Sequence, residues 1–140
     1  MKTKNILFVC KNNRFRSKIA KSYFEKINKN KNIKVSSAGV FAGSPITKKI
    51  KKIIKKVGLD ITGKTRSMST NLLKKQDLII IVADDVPKSL FNNKPVKKIK
   101  KFKIKDNYDL DEKKILKIVK ELIKKIDKLN KDIIKGEIKW

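Results

Sequence analysis

Cys10 and Arg16 stand six positions apart in the run Val9-Cys10-Lys11-Asn12-Asn13-Arg14-Phe15-Arg16-Ser17, directly after the apolar segment Ile6-Leu7-Phe8-Val9. That spacing suits one kind of chemistry. The backbone of Lys11, Asn12, Asn13, Arg14 and Phe15 can fold into a ring of N–H donors around a tetrahedral oxyanion, and the Arg16 guanidinium can close the ring with two hydrogen bonds. Cys10 then sits beneath the anion, aimed at its central atom. The following segment, Ser17 to Ile27, has helical apolar spacing, so the loop lies at a helix N-terminus, where anions are favoured. Helix dipole and guanidinium together favour the thiolate, which is the attacking species in phosphoryl transfer to sulfur. Ser17 adds a hydroxyl that can hydrogen-bond that thiolate. The competing reading is a small core hydrophobe, the usual fate of a lone cysteine at the end of a buried strand. The strand, loop and helix context favours the chemical reading.

The elements that must position this loop are legible from periodicity. Asn5–Val9 reads as a short buried strand, and Ile19, Ala20, Tyr23, Phe24 and Ile27 mark one face of the helix after it. Residues 33–38 read as a second strand ending at Gly39, followed by a loop over Val40–Pro45. Ile46, Ile50, Ile53, Ile54 and Val57 form the face of a second helix, with Gly58 as a cap beyond its end. A polar stretch over Asp60–Ser69 leads to a short helix over Thr70–Lys75. Leu78–Val82 is a continuous β-branched strand, stopping at Ala83-Asp84-Asp85. Val96–Ile104 is a weaker strand candidate, and Ile115 to Ile134 spaces its apolar residues as one long amphipathic helix. Alternating strands and helices predict an α/β fold, a three-layer doubly wound sandwich with about four parallel strands and helices on both faces. In such sheets ligands bind beyond the carboxyl ends of the strands. The cysteine loop and the acidic turns after later strands would meet there.

Composition narrows the function. The 140 residues read as a single domain over 1–140, long enough to bury about two-thirds of the unfolded surface. No apolar run approaches the roughly 20 residues of a membrane span, and Asn5–Val9 is too brief for a signal peptide. A single cysteine rules out an internal disulfide and fits a reducing compartment, so the expected location is the cytoplasm. The absence of histidine removes serine–histidine triads, cysteine–histidine dyads and histidine-ligated metals together. No metal and no cofactor are expected. The formal charge of +26 would ordinarily suggest nucleic acid. All but three of the 39 basic residues are lysine, however, and they alternate with apolar positions as solvated helix faces do. The few aromatics are not interleaved with them as stacking platforms would require. Dedicated nucleic-acid binding is therefore not expected, although the field steers anionic substrates toward any basic cleft.

Taken together the residues resemble the low-molecular-weight protein tyrosine phosphatase family, which includes a branch of arsenate reductases. The resemblance rests on Ile6-Leu7-Phe8-Val9-Cys10 with Asn13, Arg16 and Ser17, and on Ser37-Ala38-Gly39. It extends to Gly58-Leu59-Asp60-Ile61, the strand end Val82-Ala83-Asp84, and the acidic turn Asp106-Asn107-Tyr108. It implies Cys10 as nucleophile, Arg16 as phosphate clamp, Asn13 as a loop-shaping residue and Ser17 as support for the thiolate. Asp106 is implied as the general acid that protonates the leaving oxygen and later activates water. The implied partner is a phosphorylated protein or a small aryl phosphate, with a cysteinyl-phosphate intermediate.

The chain departs from the family pattern in several places. Asp106 is followed by Asn107 where the family often has proline, and Asp109 and Asp111 lie near enough to be the acid instead, or to cap the last helix. Phe15 stands near where many members carry a second loop cysteine, so protection by an internal disulfide is excluded. Arsenate reduction then needs an external thiol, and the loop alone does not separate that activity from phosphatase activity or from oxyanion binding without turnover. Phe41 and Tyr108 can wall an aromatic substrate, or be ordinary half-exposed aromatics. The family's histidine before the third strand is missing, with Lys64 or Thr65 in its vicinity.

Overall fold

The computed structural model describes residues 2–106 and 111–140. Four strands, β1 (Lys4–Cys10), β2 (Ile33–Gly39), β3 (Leu78–Val82) and β4 (Ile99–Phe102), form one sheet in the order β2-β1-β3-β4. Every pairing is parallel. The helices are α1 (Arg16–Ile27), α2 (Lys48–Lys56), α3 (Thr70–Lys74) and α4 (Glu112–Ile134), with a 3-10 turn over Lys88–Phe91. In β1 the residues from Ile6 to Cys10 are buried, as is all of β3. Successive residues of a strand point to opposite faces, so the two central strands are covered on both sides. This is the expected α/β arrangement.

α1 packs against β1, β2 and β3 and runs along α4. Phe24 and Phe8 meet in a tilted aromatic pair, centroids 6.2 Å apart. Tyr23 donates its hydroxyl to the Asp127 carboxylate at 2.5 Å, tying α1 to α4. The chain ends also meet, with the Lys4 ammonium over the Trp140 ring. No helix among the described residues is long and apolar enough to cross a membrane.

The structure departs from the periodicity reading at β4, α2 and α4. β4 is only Ile99–Phe102, shorter than the expected Val96–Ile104, because its half-buried lysines leave no alternating apolar face to extend it. α2 starts at Lys48, where Thr47 accepts the Ile50 N–H on its side chain, so Ile46 precedes the helix. Val57 and Ile134 belonged to the expected apolar faces, but both are exposed and sit at helix ends. Asp111 accepts the Lys113 N–H at 2.9 Å as the cap of α4, the structural alternative to an acid role. Asp109, the other candidate, lies outside the described residues.

Burial, with the Asp127 contact, raises the Tyr23 pKa to about 12. An unfolded tyrosine ionises near 10, so between about pH 10 and 12 the unfolded chain gains ionisation that the folded chain resists. The Tyr23 contribution is complete below that window and fades through it. Thermal melts should show wild type above Tyr23→Phe in Tm at pH 8, with the gap shrinking as pH rises through 10 to 12. A gap that is constant with pH would exclude this linkage.

Candidate active site

β1 ends at Cys10 and α1 begins at Arg16, so residues 11–15 bridge strand and helix. Their carbonyls are spoken for: Cys10, Lys11 and Asn12 accept from the N–H groups of Val40, Phe41 and Gly43 at 3.0, 2.9 and 3.0 Å. A trans peptide is planar, with its N–H opposite its C=O. Turning these carbonyls toward the loop after β2 therefore turns the N–H groups of Lys11, Asn12 and Asn13 the other way. Among the described residues the N–H groups of Lys11 to Phe15 have no protein acceptor. α1 adds to this. Its N-cap is Phe15, with no side-chain cap and no acid in the first turn, so its leading amides are open to an anion.

Close packing fixes the loop against β2. A Cβ on Gly39 would stand 2.4 Å from the Phe41 carbonyl oxygen, 2.7 Å from the Asn13 nitrogen and 2.8 Å from the Asn12 carbonyl carbon. Asn13 holds the turn, with a left-handed φ of 54° that asparagine tolerates better than most residues. Its Nδ2 donates to Ser17 Oγ at 2.8 Å and to Ser37 Oγ at 3.0 Å, and its Oδ1 accepts the Arg66 N–H at 3.0 Å. Ser17 Oγ lies 3.0 Å from Cys10 Sγ. The backbone N–H of Arg66 thus completes the Asn13 network in a chain without histidine. Of the two residues in the vicinity of the absent family histidine, Lys64 accepts from Lys18 through its carbonyl, while the Thr65 hydroxyl bonds the Gly43 carbonyl.

Arg16 is 2% exposed, and its partners within the protein are one carbonyl and three carboxylates. Its Nη1 donates to the Ile104 carbonyl at 2.9 Å, and its guanidinium lies 3.0 Å from Asp85, 3.6 Å from Asp84 and 3.6 Å from Asp106. The carboxylates after β3 and β4 neutralise a buried cation directly behind the loop. Asp106, the expected acid, is therefore brought to Arg16. Asp84 and Asp85 were legible only as an acidic strand end, Ser37 only as part of the Ser37-Ala38-Gly39 match, and Arg66 had no role in the sequence reading. A buried charge must find partners, so a paired acid beyond a buried strand is the signal that pointed to them. Phe41 is 59% exposed, and its N–H bonds Lys11. Tyr108 lies outside the described residues. Arg14 is half-buried and donates from Nη2 to the Pro45 carbonyl at 3.3 Å. Among the described residues no three His, Cys, Asp or Glu side chains are grouped to hold a metal ion.

The arrangement offers a buried thiol, amides turned into the loop and away from the segment after β2, and a guanidinium at one strand end, a set that can bind a tetrahedral oxyanion and attack it. The sequence model of the low molecular weight phosphotyrosine protein phosphatases matches residues 5–137. The chain belongs to that family. Membership in this group of cysteine-dependent hydrolases agrees with the fold. A low molecular weight protein tyrosine phosphatase from T. tengcongensis is 30% identical, with a TM-score of 0.81 over 93% of this chain and 99% of that one. An arsenate reductase from Archaeoglobus fulgidus is 26% identical, with a TM-score of 0.72 over 89% and 98%. An arginine phosphatase from Geobacillus stearothermophilus, 22% identical, shares the fold with a TM-score of 0.79 over 96% and 95%. Among curated proteins nothing matches.

Asn13→Ala removes three polar contacts in this phosphatase-family loop and leaves alanine at a positive φ. It should lower stability by about 3 kcal/mol in urea unfolding, from unsatisfied buried groups and backbone strain. Unchanged stability would mean that the Asn13 network is not what holds the loop.

Proposed function

We propose that this chain is a metal-independent phosphomonoester phosphatase, acting on protein phosphotyrosine or small aryl phosphates through a cysteinyl-phosphate. The observation that carries the proposal is the set of loop amides turned inward by the bonds from Val40, Phe41 and Gly43, with Cys10 at the foot of the loop. Cys10 thiolate attacks phosphorus, and the P–O bond to the leaving group breaks. Asp106 gives its proton to the departing phenolate oxygen. In the second step Asp106, now a carboxylate, takes a proton from water, whose oxygen attacks phosphorus and returns the thiolate. The amides of Lys11 through Phe15 and the Arg16 guanidinium hold the equatorial oxygens as charge spreads over them. Phosphate arriving there competes with Asp84 and Asp85 for Arg16, so these carboxylates hold the guanidinium ready between turnovers. Ser17 stabilises the thiolate, and Asn13 holds Ser17.

Phe41 forms one wall for an aromatic leaving group, supported by its exposure and its anchor to Lys11. A single domain over residues 1–140, a cytoplasmic location and action without a cofactor complete the reading. Support for the location comes from the lone thiol, which suits a reducing compartment. Nucleic acid is not the partner. A second reading, arsenate reduction, is favoured by the lone cysteine only in a form that passes the oxidised sulfur to an external thiol. Oxyanion binding without turnover is the third.

Hydrolysis of p-nitrophenyl phosphate, phosphotyrosine and phosphoarginine is measured with EDTA present. Wild type should turn over both aryl esters and Cys10→Ser neither. Asp106→Asn should lose about 10²-fold on phosphotyrosine and far less on the activated ester, which needs little help from an acid. Phe41→Ala should raise KM for phosphotyrosine by about 3- to 10-fold, the value of one aromatic contact. No turnover of any ester sinks the proposal, and thiol-dependent arsenate turnover would then establish the second reading.

A further inference from the structure

Behind the loop lies a second concave site. A cleft of about 230 Å³ opens between α1 and the 60–66 segment, and neither Cys10 nor Arg16 lines it. Four cations do: Lys18, Lys21, Lys64 and Arg66, with Asn13 and Ser37 at the side shared with the loop network.

The cations are held in place by their neighbours. Lys18 is nine-tenths buried, and its Nζ donates to the Lys64 carbonyl at 3.1 Å. Arg66 Nε donates to the Ser37 carbonyl at 2.9 Å. Two carboxylates reach the cleft, and both are engaged. Glu25 pairs with Lys21 at 3.2 Å, and Asp60 accepts the Thr62 N–H at 2.9 Å. Among the described residues no carboxylate lies within ion-pair distance of Lys18, Lys64 or Arg66. Burial lowers the Lys18 pKa, and repulsion from Lys21 and Arg66 lowers it further. Four cations against two carboxylates, both already engaged, form a positive concavity, with fixed donors on its walls.

We propose that this cleft is a second oxyanion site, taking a small phosphate-bearing anion such as orthophosphate or pyrophosphate, separate from the Cys10 loop. The volume admits such an anion and excludes a folded partner. The ligand's charge supplies what the acids do not. Its wall is shared with the loop: the Arg66 N–H bonds Asn13, Asn13 bonds Ser17, and Ser17 meets Cys10. Anion binding in the cleft is a property distinct from ester hydrolysis at Cys10, and it stands whether or not the loop hydrolyses esters.

The test is calorimetric titration of pyrophosphate into the full chain at 0.15 M salt, with Cys10 carboxymethylated by iodoacetate so that the attached carboxylate fills the loop. One site that survives carboxymethylation is expected. The double variant Lys18→Met/Lys64→Met should weaken it at least tenfold. Lys48→Met/Lys52→Met, which removes the same charge from the surface of α2, should leave it within twofold. Circular dichroism checks that each variant folds, and Lys64→Gln alone, which keeps Lys18 and its bond to the carbonyl of residue 64, replaces the double variant if that one does not. Absence of binding to the carboxymethylated chain, or equal loss in both double variants, overturns the proposal. p-Nitrophenyl phosphate turnover, measured separately, distinguishes that outcome from failure of the phosphatase reading.

Discussion

Peptide planarity does the decisive work at this site. Once the N–H groups of Val40, Phe41 and Gly43 take the carbonyls of Cys10, Lys11 and Asn12, the opposite edges of those peptides must face the other way, whatever the side chains are. The anion cradle is therefore built from β2 and the loop after it, by contacts on the far side from the anion. Gly39 belongs to the same constraint, because a single methyl there would strike the loop backbone. A loop held this way needs no ligand to set its shape, which is the condition for electrostatic catalysis by preorganised donors.

A second layer of the design is the buried guanidinium. Arg16 has almost no solvent, so its charge must be met by protein. Asp84 and Asp85 follow β3 and Asp106 follows β4, and all three approach Arg16, within 4 Å. The parallel sheet makes this possible, since it delivers the ends of β1, β3 and β4 to one edge. Removing one partner leaves others, so the cluster tolerates the arrival of a phosphate that displaces part of it.

Much of this was legible in the residues, for identifiable reasons. The strand before Cys10 and the strand at Leu78–Val82 are continuous apolar runs, and their bounds came within a residue of those observed. Cys10, Asn13 and Ser17 lie in one short segment, so spacing alone puts them together. What spacing does not carry is the partner of a backbone group. The group that meets Asn13 Oδ1 is the N–H of Arg66, an atom every non-proline residue has, so its identity leaves no trace in the sequence. The spacing of Arg16 from Cys10 is visible in the sequence, but its carboxylate partners, which follow β3 and β4 far along the chain, meet it only because the parallel sheet ends at one edge. β4 was overextended for a related reason. Its lysines are half-buried through their aliphatic stems, and an apolar count does not show where such a strand stops.

The start of α1 places a limit on how stable this protein can become. Phe15 offers no side-chain cap, and the first turn carries no acid. A serine or aspartate cap satisfies a leading amide and is worth about 1 kcal/mol in an ordinary helix. Phe15, however, is buried in the core, and truncating such a side chain costs about 3 to 5 kcal/mol. The position is therefore used for packing, and the leading amides stay open. A cap there would forfeit core burial and, in the proposed reading, would also set a side-chain oxygen on the amides meant for the anion.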